Sequence, residues 1–342
     1  MRDVDKSAPR VTSQTLTVVT AFALIIGCSP TAQADEPLVT DFSRSQLFSK
    51  YILPSVKEGG AVLSLDTDFV FPSDVSAYNK DERTAQIGID VSHHNLDNCN
   101  CSINWTLLRD SGVSFVYIKA SQGTSYYDPR LGQYWKGLAE LPPSKTIYKG
   151  AYHFLSADGT GEDQAAWFLK NLDKQLAAIG QSSSSQDLPP VLDLEWDHRV
   201  GAGGKPAPCS DKKIHKDCWE IVPPDQIVAR ANAWLDVVSR KTGKTPIIYT
   251  ARSWVLERIK SDANYKQLSK YPIWIAAYLA HDKTGKNTIV TIHPAIPGNG
   301  MSPLWQFSDR ASFPEDAGLE SADATLFKGS SKDFKETFHV GE

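Results

Sequence analysis

From Ile87 onward the chain alternates short apolar runs with amphipathic stretches. The runs Ile87–Val91, Ser114–Lys119, Gly150–Phe154, Pro190–Glu195, Pro246–Tyr249, Ile273–Ala276 and Leu304–Phe307 predict strands, with a weaker one at Thr288–Ile292. Between them lie helical patterns. One sets Ala166, Leu169, Leu172 and Leu176 on a single face, and another does so with Ile227, Ala231, Trp234 and Val238. Ser182 to Ser185 and the Gly/Pro/Lys-rich stretch from Gly201 to Lys216 are expected to be loops. Strand–helix alternation of this length predicts an α/β protein with a parallel sheet, and about eight strands favour closure into a TIM-like (β/α) barrel.

The N-terminal pattern differs. Arg2, Lys6 and Arg10 precede an apolar run from Leu16 to Gly27, about a dozen residues long, which is too short to span a bilayer but right for a secretory signal. Ala32-Gln33-Ala34 offers a cleavage site before Asp35, and Ile25-Ile26-Gly27-Cys28 resembles a bacterial lipobox. Residues 1–34 are therefore read as a signal peptide, and the expected product is exported, periplasmic or extracellular. Its mature terminus is either Asp35 or a lipidated Cys28 that would anchor it to a membrane. No other apolar stretch is long enough to cross one. Residues 35–84 show no clear helical period and read as an N-terminal extension. A single catalytic domain is expected over 85–335, with a tail at 336–342.

Composition narrows the class. The chain has 342 residues, 41% hydrophobic and 22% charged, too apolar and too little charged for a disordered protein. Its net charge is −4, from 36 basic and 40 acidic side chains. Loss of residues 1–34 removes three basic and two acidic groups, so 36 and 40 become 33 and 38 and the mature charge is −5. That balance argues against nucleic acid as a partner. Beyond Cys28, an exported chain would carry Cys99, Cys101, Cys209 and Cys218 into an oxidising compartment, which suggests two disulfides. A Cys99–Cys101 bridge would close a strained ring, so bridges between the two loops are at least as favoured as Cys209–Cys218.

Ligands of parallel α/β sheets bind at the carboxyl ends of the strands. In Pro190-Val191-Leu192-Asp193-Leu194-Glu195-Trp196-Asp197, alternation puts the carboxylates on one face and Leu192, Leu194 and Trp196 on the other. Asp193 and Glu195 would then project into the barrel mouth, and crowding of like charges should raise at least one pKa and supply a proton donor. Asp197 reads as a loop residue. Asp90 ends the first strand, where burial of a carboxylate needs a partner or a function. His93, His94 and His153 invite a metal, but adjacent strand residues point oppositely, so hydrogen-bonded structural histidines are the preferred reading. No metal or cofactor is expected. Tyr126, Tyr152, Trp196, Tyr249, Trp274, Tyr278 and Trp305 lie near the same strand ends and, beside the carboxylates, suggest stacking platforms for sugars.

Eight pieces in order carry a family resemblance. They are Gly88-Ile89-Asp90-Val91-Ser92, Phe115 to Ser121, Tyr126-Tyr127-Asp128-Pro129, Gly150 to Phe154, Leu192 to Glu195, Ile248-Tyr249-Thr250, Trp274-Ile275-Ala276 and Leu304 to Ser308. Together they resemble glycoside hydrolase family 25, the Chalaropsis-type lysozymes, over about residues 85 to 330. The resemblance implies an irregular α/β barrel that cleaves the β-1,4 bond after N-acetylmuramic acid in the glycan strands of peptidoglycan. It implies Glu195 as general acid/base, Asp193 as the residue that orients the substrate acetamido group or stabilises developing positive charge, and Asp90 in the same cleft. The family's late Asp-x-Asn signature matches at Asp323, with Thr325 where Asn is usual, and Gln122 stands in place of a frequent Glu.

Asp193 and Glu195, two residues apart on a strand, lie roughly 6–7 Å apart at Cα. Such spacing favours one acid with a helper, and hence a route assisted by the substrate's 2-acetamido oxygen, over acid and base on opposite sugar faces. The expected enzyme is a monomeric glycosidase. The competing classes are a non-catalytic wall-binding or inhibitor protein on the same barrel, and a metal-dependent polysaccharide deacetylase.

Overall fold

The structure, a computed structural model, describes residues 38–39, 68–79, 85–96, 101–201, 205–278 and 294–341, all within one compact unit, Glu36–Glu342. Eight strands close a barrel in chain order: β1 (Ala85–Val91), β2 (Val113–Gln122), β3 (Tyr148–Phe154), β4 (Val191–Leu194), β5 (Ile247–Ala251), β6 (Ile273–Ala276), β7 (Leu304–Ser312) and β8 (Ser321–Lys328). Neighbours from β1 to β7 run parallel, while β8 is antiparallel to both β7 and β1 and closes the ring. The seven main predicted strands are present. The eighth is Ser321–Lys328, whereas the predicted Thr288–Ile292 lies outside the described residues, as do the signal segment, Cys28, Asp35 and Cys99.

Alternation along each strand separates two cores. Inward-facing Phe115, Tyr117, Tyr152, Val191, Ile247, Tyr249, Trp274, Leu304 and Phe327 fill the barrel. Outward-facing Ile89, Val116, Ile118, Leu192, Leu194, Ile248 and Ile275 pack under the helices. Gly88 and Gly150 have a packing reason to lack a side chain. A Cβ at Gly88 would lie 2.3 Å from the Phe115 ring, and one at Gly150 would lie 2.5 Å from Tyr117.

The main helices are α1 (Trp105–Asp110), α2 (Leu131–Ala139), α3 (Gly161–Ala178), α4 (Pro224–Thr242) and α5 (Ser331–Phe338). Thr160 caps α3 by accepting from the Asp163 amide, Gly243 ends α4 at a φ of 69°, and Ser330 with Asp333 forms a capping box for α5. The buried face of α4 is the expected one. That of α3 is rotated: Ala165, Phe168, Leu172 and Leu176 are buried, whereas Ala166 is exposed and Leu169 half-buried. Phe168 claims the interior because it packs edge-on to His153 at 5.9 Å and against Trp234 at 5.3 Å. Helix α5 plugs the bottom of the barrel, with Phe334 5.1 Å from Phe115 and 5.2 Å from Phe327.

Ahead of β1, Asp68–Val70 pairs in parallel with Arg310–Ser312 of β7, and Phe69 sits 5.0 Å from Phe307. Leu38–Val39 pairs antiparallel with Arg199–Val200. Cys209 bonds to Cys218, one of the pairings that the sequence leaves open. Cys101 is also disulfide-bonded.

Candidate active site

Polar side chains gather at the carboxyl end of the barrel, above the aromatic filling. Asp90 is the inward residue two positions beyond Gly88 on β1. Asp323 of β8 is its register partner. Between them reaches Gln306 of β7, whose Nε2 donates to Asp90 Oδ2 at 2.7 Å and to Asp323 Oδ2 at 3.1 Å. Its Oε1 accepts from the hydroxyls of Tyr249 (2.7 Å) and Tyr278 (2.6 Å). A primary amide has two donor hydrogens and two acceptor lone pairs. All four are used here, and no carboxylate could replace the amide, because its neighbours already include two carboxylates.

Asp193 occupies the next inward position above Val191 on β4 and is almost wholly buried, at 1% exposure. Its register partner on β5 is Tyr249, so the Asp193 strand lies beside one of the hydroxyls that bind Gln306. Strand β4 ends at Leu194, one residue earlier than expected. Glu195 is the first residue beyond it and is half-buried. The structure thus places Asp90, Asp193, Glu195, Asp323, Tyr249 and Tyr278 at one end of one barrel.

The remaining predicted residues separate. Tyr152 is inward and buried. Tyr126 is half-buried at the mouth, with its hydroxyl 2.8 Å from His93 Nδ1. Trp196 is half-buried and donates from Nε1 to Glu257 at 2.9 Å. Trp274 lies within the barrel filling, 5.0 Å from both Tyr117 and Tyr249, and donates to Thr325 Oγ1. That contact gives the residue standing in place of the usual Asn a packing role. Trp305 faces the outer core and donates to the carbonyl of Ala277. These two indoles are packing groups of the two cores and present no face to the cleft. Gln122, which stands in place of the frequent Glu, accepts from the buried Lys119 at 2.9 Å.

The His93 and His94 rings lie 3.8 Å apart on a turn after β1 rather than pointing oppositely on a strand, but His153 does not join them. His93 is tied to Asp128 through both its amide and Nδ1, at 2.9 Å each. His153 points outward, stacked on Trp234 and 2.8 Å from Ser121 Oγ. Burial, reinforced by Lys119, lowers its pKa to about 3, so it is neutral at ordinary pH. Asp90 and His153 occupy opposite faces of the sheet. Among the described residues no group of three or more His, Cys, Asp or Glu side chains could hold a metal ion.

Two polar residues at this end of the barrel were not singled out as site residues from the sequence. Gln306 carries no charge to attract notice, although inward–outward alternation does oppose it to Trp305. Asp197 is buried beneath the site, accepting from Ser156 Oγ (2.9 Å), the Ala157 amide (2.8 Å) and Arg199 (3.0 Å). It is a loop residue, as expected, but an ion-paired one.

The chain is similar to known proteins over most of its barrel. Residues 89–316 match the family Glycosyl hydrolases family 25. The chain is 28% identical over 255 residues to the uncharacterized protein YegX of Escherichia coli O157:H7, covering 72% of this chain and 71% of that one. It is 30% identical over 168 residues to the N,O-diacetylmuramidase of Chalaropsis sp, covering 49% of this chain and 66% of that one. Among solved structures, the bacterial lysozyme from Streptomyces coelicolor superposes with a TM-score of 0.52 at 26% identity, covering 72% of this chain and 94% of that one.

Proposed function

The chain belongs to glycosyl hydrolase family 25, and on that premise we propose that it is a peptidoglycan muramidase, hydrolysing the β-1,4 bond between N-acetylmuramic acid and N-acetylglucosamine. The observation that carries the reading is the meeting of the Asp193–Glu195 pair with the Asp90–Gln306–Asp323 bridge at the carboxyl end of one barrel. Glu195, half-buried and just past β4, is the proton donor to the glycosidic oxygen. As the C1–O bond breaks, the substrate's acetamido oxygen bonds to C1. Asp193 holds the acetamido N–H and balances the positive charge that develops on that ring. Glu195, now a carboxylate, then takes a proton from water as that water opens the cyclic intermediate. Asp90 and Asp323 supply fixed negative charge near the cationic transition state. Tyr126, Tyr152, Tyr249, Tyr278 and Trp196 line the approach for the glycan.

The protein is proposed to act outside the cytoplasm as a monomer, after loss of its N-terminal signal or anchored through Cys28. No helix among the described residues is long and apolar enough to cross a membrane.

Release of soluble fragments from purified peptidoglycan tests the reading. The wild type should clear the suspension and Glu195→Gln should lose about 10²–10⁴ of the rate, the usual contribution of a general acid. Binding without clearing, equal in both proteins, would make the barrel a wall-binding module instead.

A further inference from the structure

The loop between β4 and α4, read from its composition as a plain connection, is built onto the segment that carries Glu195. Past Leu194 the backbone leaves the sheet and its polar groups lose their strand partners. The backbone of Glu195 and of Asp197 finds new ones, and the side chain of Trp196 is tied down between them. The Glu195 carbonyl accepts from Trp219 Nε1 at 2.9 Å. The Trp196 indole Nε1 donates to Glu257 at 2.9 Å. The Asp197 amide donates to Asp217 Oδ1 at 2.8 Å, and its carbonyl accepts from the Cys218 amide at 3.0 Å.

The partners are themselves immobilised. Trp219 is buried, edge-on to Trp254 at 6.0 Å, with the Arg230 guanidinium 5.5 Å over its ring. Asp217, fully buried, is ion-paired to Arg258, which also contacts Glu257 at 2.9 Å and Glu220 at 3.3 Å. Arg258 therefore joins the anchor of Trp196 to that of Asp197. The Cys209–Cys218 disulfide closes the loop immediately before Trp219. On the other side, Asp197 is held by Ser156, Ala157 and Arg199. The backbone at Glu195 is gripped from two directions, while its side chain retains access to solvent.

We propose that Trp219, seated by the Cys209–Cys218 disulfide and the Asp217–Arg258 pair, is a positioning residue that fixes the backbone of Glu195 so that its carboxyl meets the scissile oxygen. The inference rests on Glu195 being the acid/base and adds the device that holds it. Small displacements of a catalytic group lower the rate of the chemical step while leaving binding of the rest of the glycan intact.

Trp219→Phe removes the N–H while keeping an aromatic ring, and the double variant Cys209→Ser/Cys218→Ser opens the loop. The double variant is used rather than a reductant because Cys101 is also disulfide-bonded. Three readouts apply to the full mature chain: kcat and KM on soluble peptidoglycan fragments, Tm, and hydrogen exchange of the peptide spanning residues 193–199. Both variants should lose kcat by about tenfold at unchanged KM, with faster exchange in that peptide. Wild-type kcat and exchange in both variants would overturn the proposal. So would a loss of activity that only follows the loss of folded protein. Faster exchange accompanied by a fully active Glu195→Gln enzyme would instead remove Glu195 as the acid/base, and the positioning role with it. Exchange therefore separates a failed clamp from a failed active-site reading.

Discussion

Asp90 and Asp323 stand opposite each other on adjacent antiparallel strands, and a single side-chain nitrogen, Gln306 Nε2, donates to both. Like charges facing across a ladder destabilise it. Here a shared donor offsets the repulsion, and two tyrosine hydroxyls fix the donor's orientation by occupying its oxygen. Two carboxylates can therefore sit side by side at the floor of a cleft where positive charge develops during glycoside cleavage.

Gln306→Met, close to Gln in volume, should cost about 3 kcal/mol in urea unfolding at neutral pH, since charged groups lose their buried donor. A deficit below about 1 kcal/mol would contradict the shared-donor account.

His153 gives the wild type its own pH dependence. Its folded pKa of about 3 lies below the ordinary 6.5. The unfolded chain therefore takes up a proton that the folded chain refuses. The stability tied to this residue is complete above 6.5 and is lost as pH falls from there toward 3, at a slope of up to about 1.4 kcal/mol per pH unit. His153→Gln should flatten unfolding free energy against pH in that window, and an unchanged slope would sink the assignment.

Asp197→Ala should destabilise by about 3–5 kcal/mol, because it strips the buried Arg199 guanidinium of one carboxylate and the Ala157 amide of its acceptor. Chemical denaturation measures this directly. A change below about 1 kcal/mol would mean that the pair behaves as a surface ion pair.

Much of the barrel was legible because parallel strands buried on both faces must be apolar runs, and seven were found that way. Strand β8 was not legible. It runs antiparallel, and its inward positions at the mouth are Asp323 and Thr325, so no apolar run marks it. The face of α3 was misread because leucine spacing alone suggested Ala166 and Leu169. The aromatic partners of Phe168 come from β3 and α4, which a local pattern does not include. At the site, Asp90 and Asp193 were legible as charges at strand ends. Gln306 was not, because its role exists only once residues 90, 249, 278, 306 and 323 share one end of the barrel. Trp274 and Trp305 read as platforms from their place near strand ends, but the barrel buries one in its filling and the other under its outer layer.

The most direct test of the muramidase reading is the chemical identity of the reducing ends released from purified peptidoglycan, read by mass spectrometry after borohydride reduction. Reduced N-acetylmuramic acid at the new ends, present with the wild type and absent with Glu195→Gln, is the predicted result. Reduced N-acetylglucosamine at those ends, or muramic acid released equally by both proteins, would contradict it.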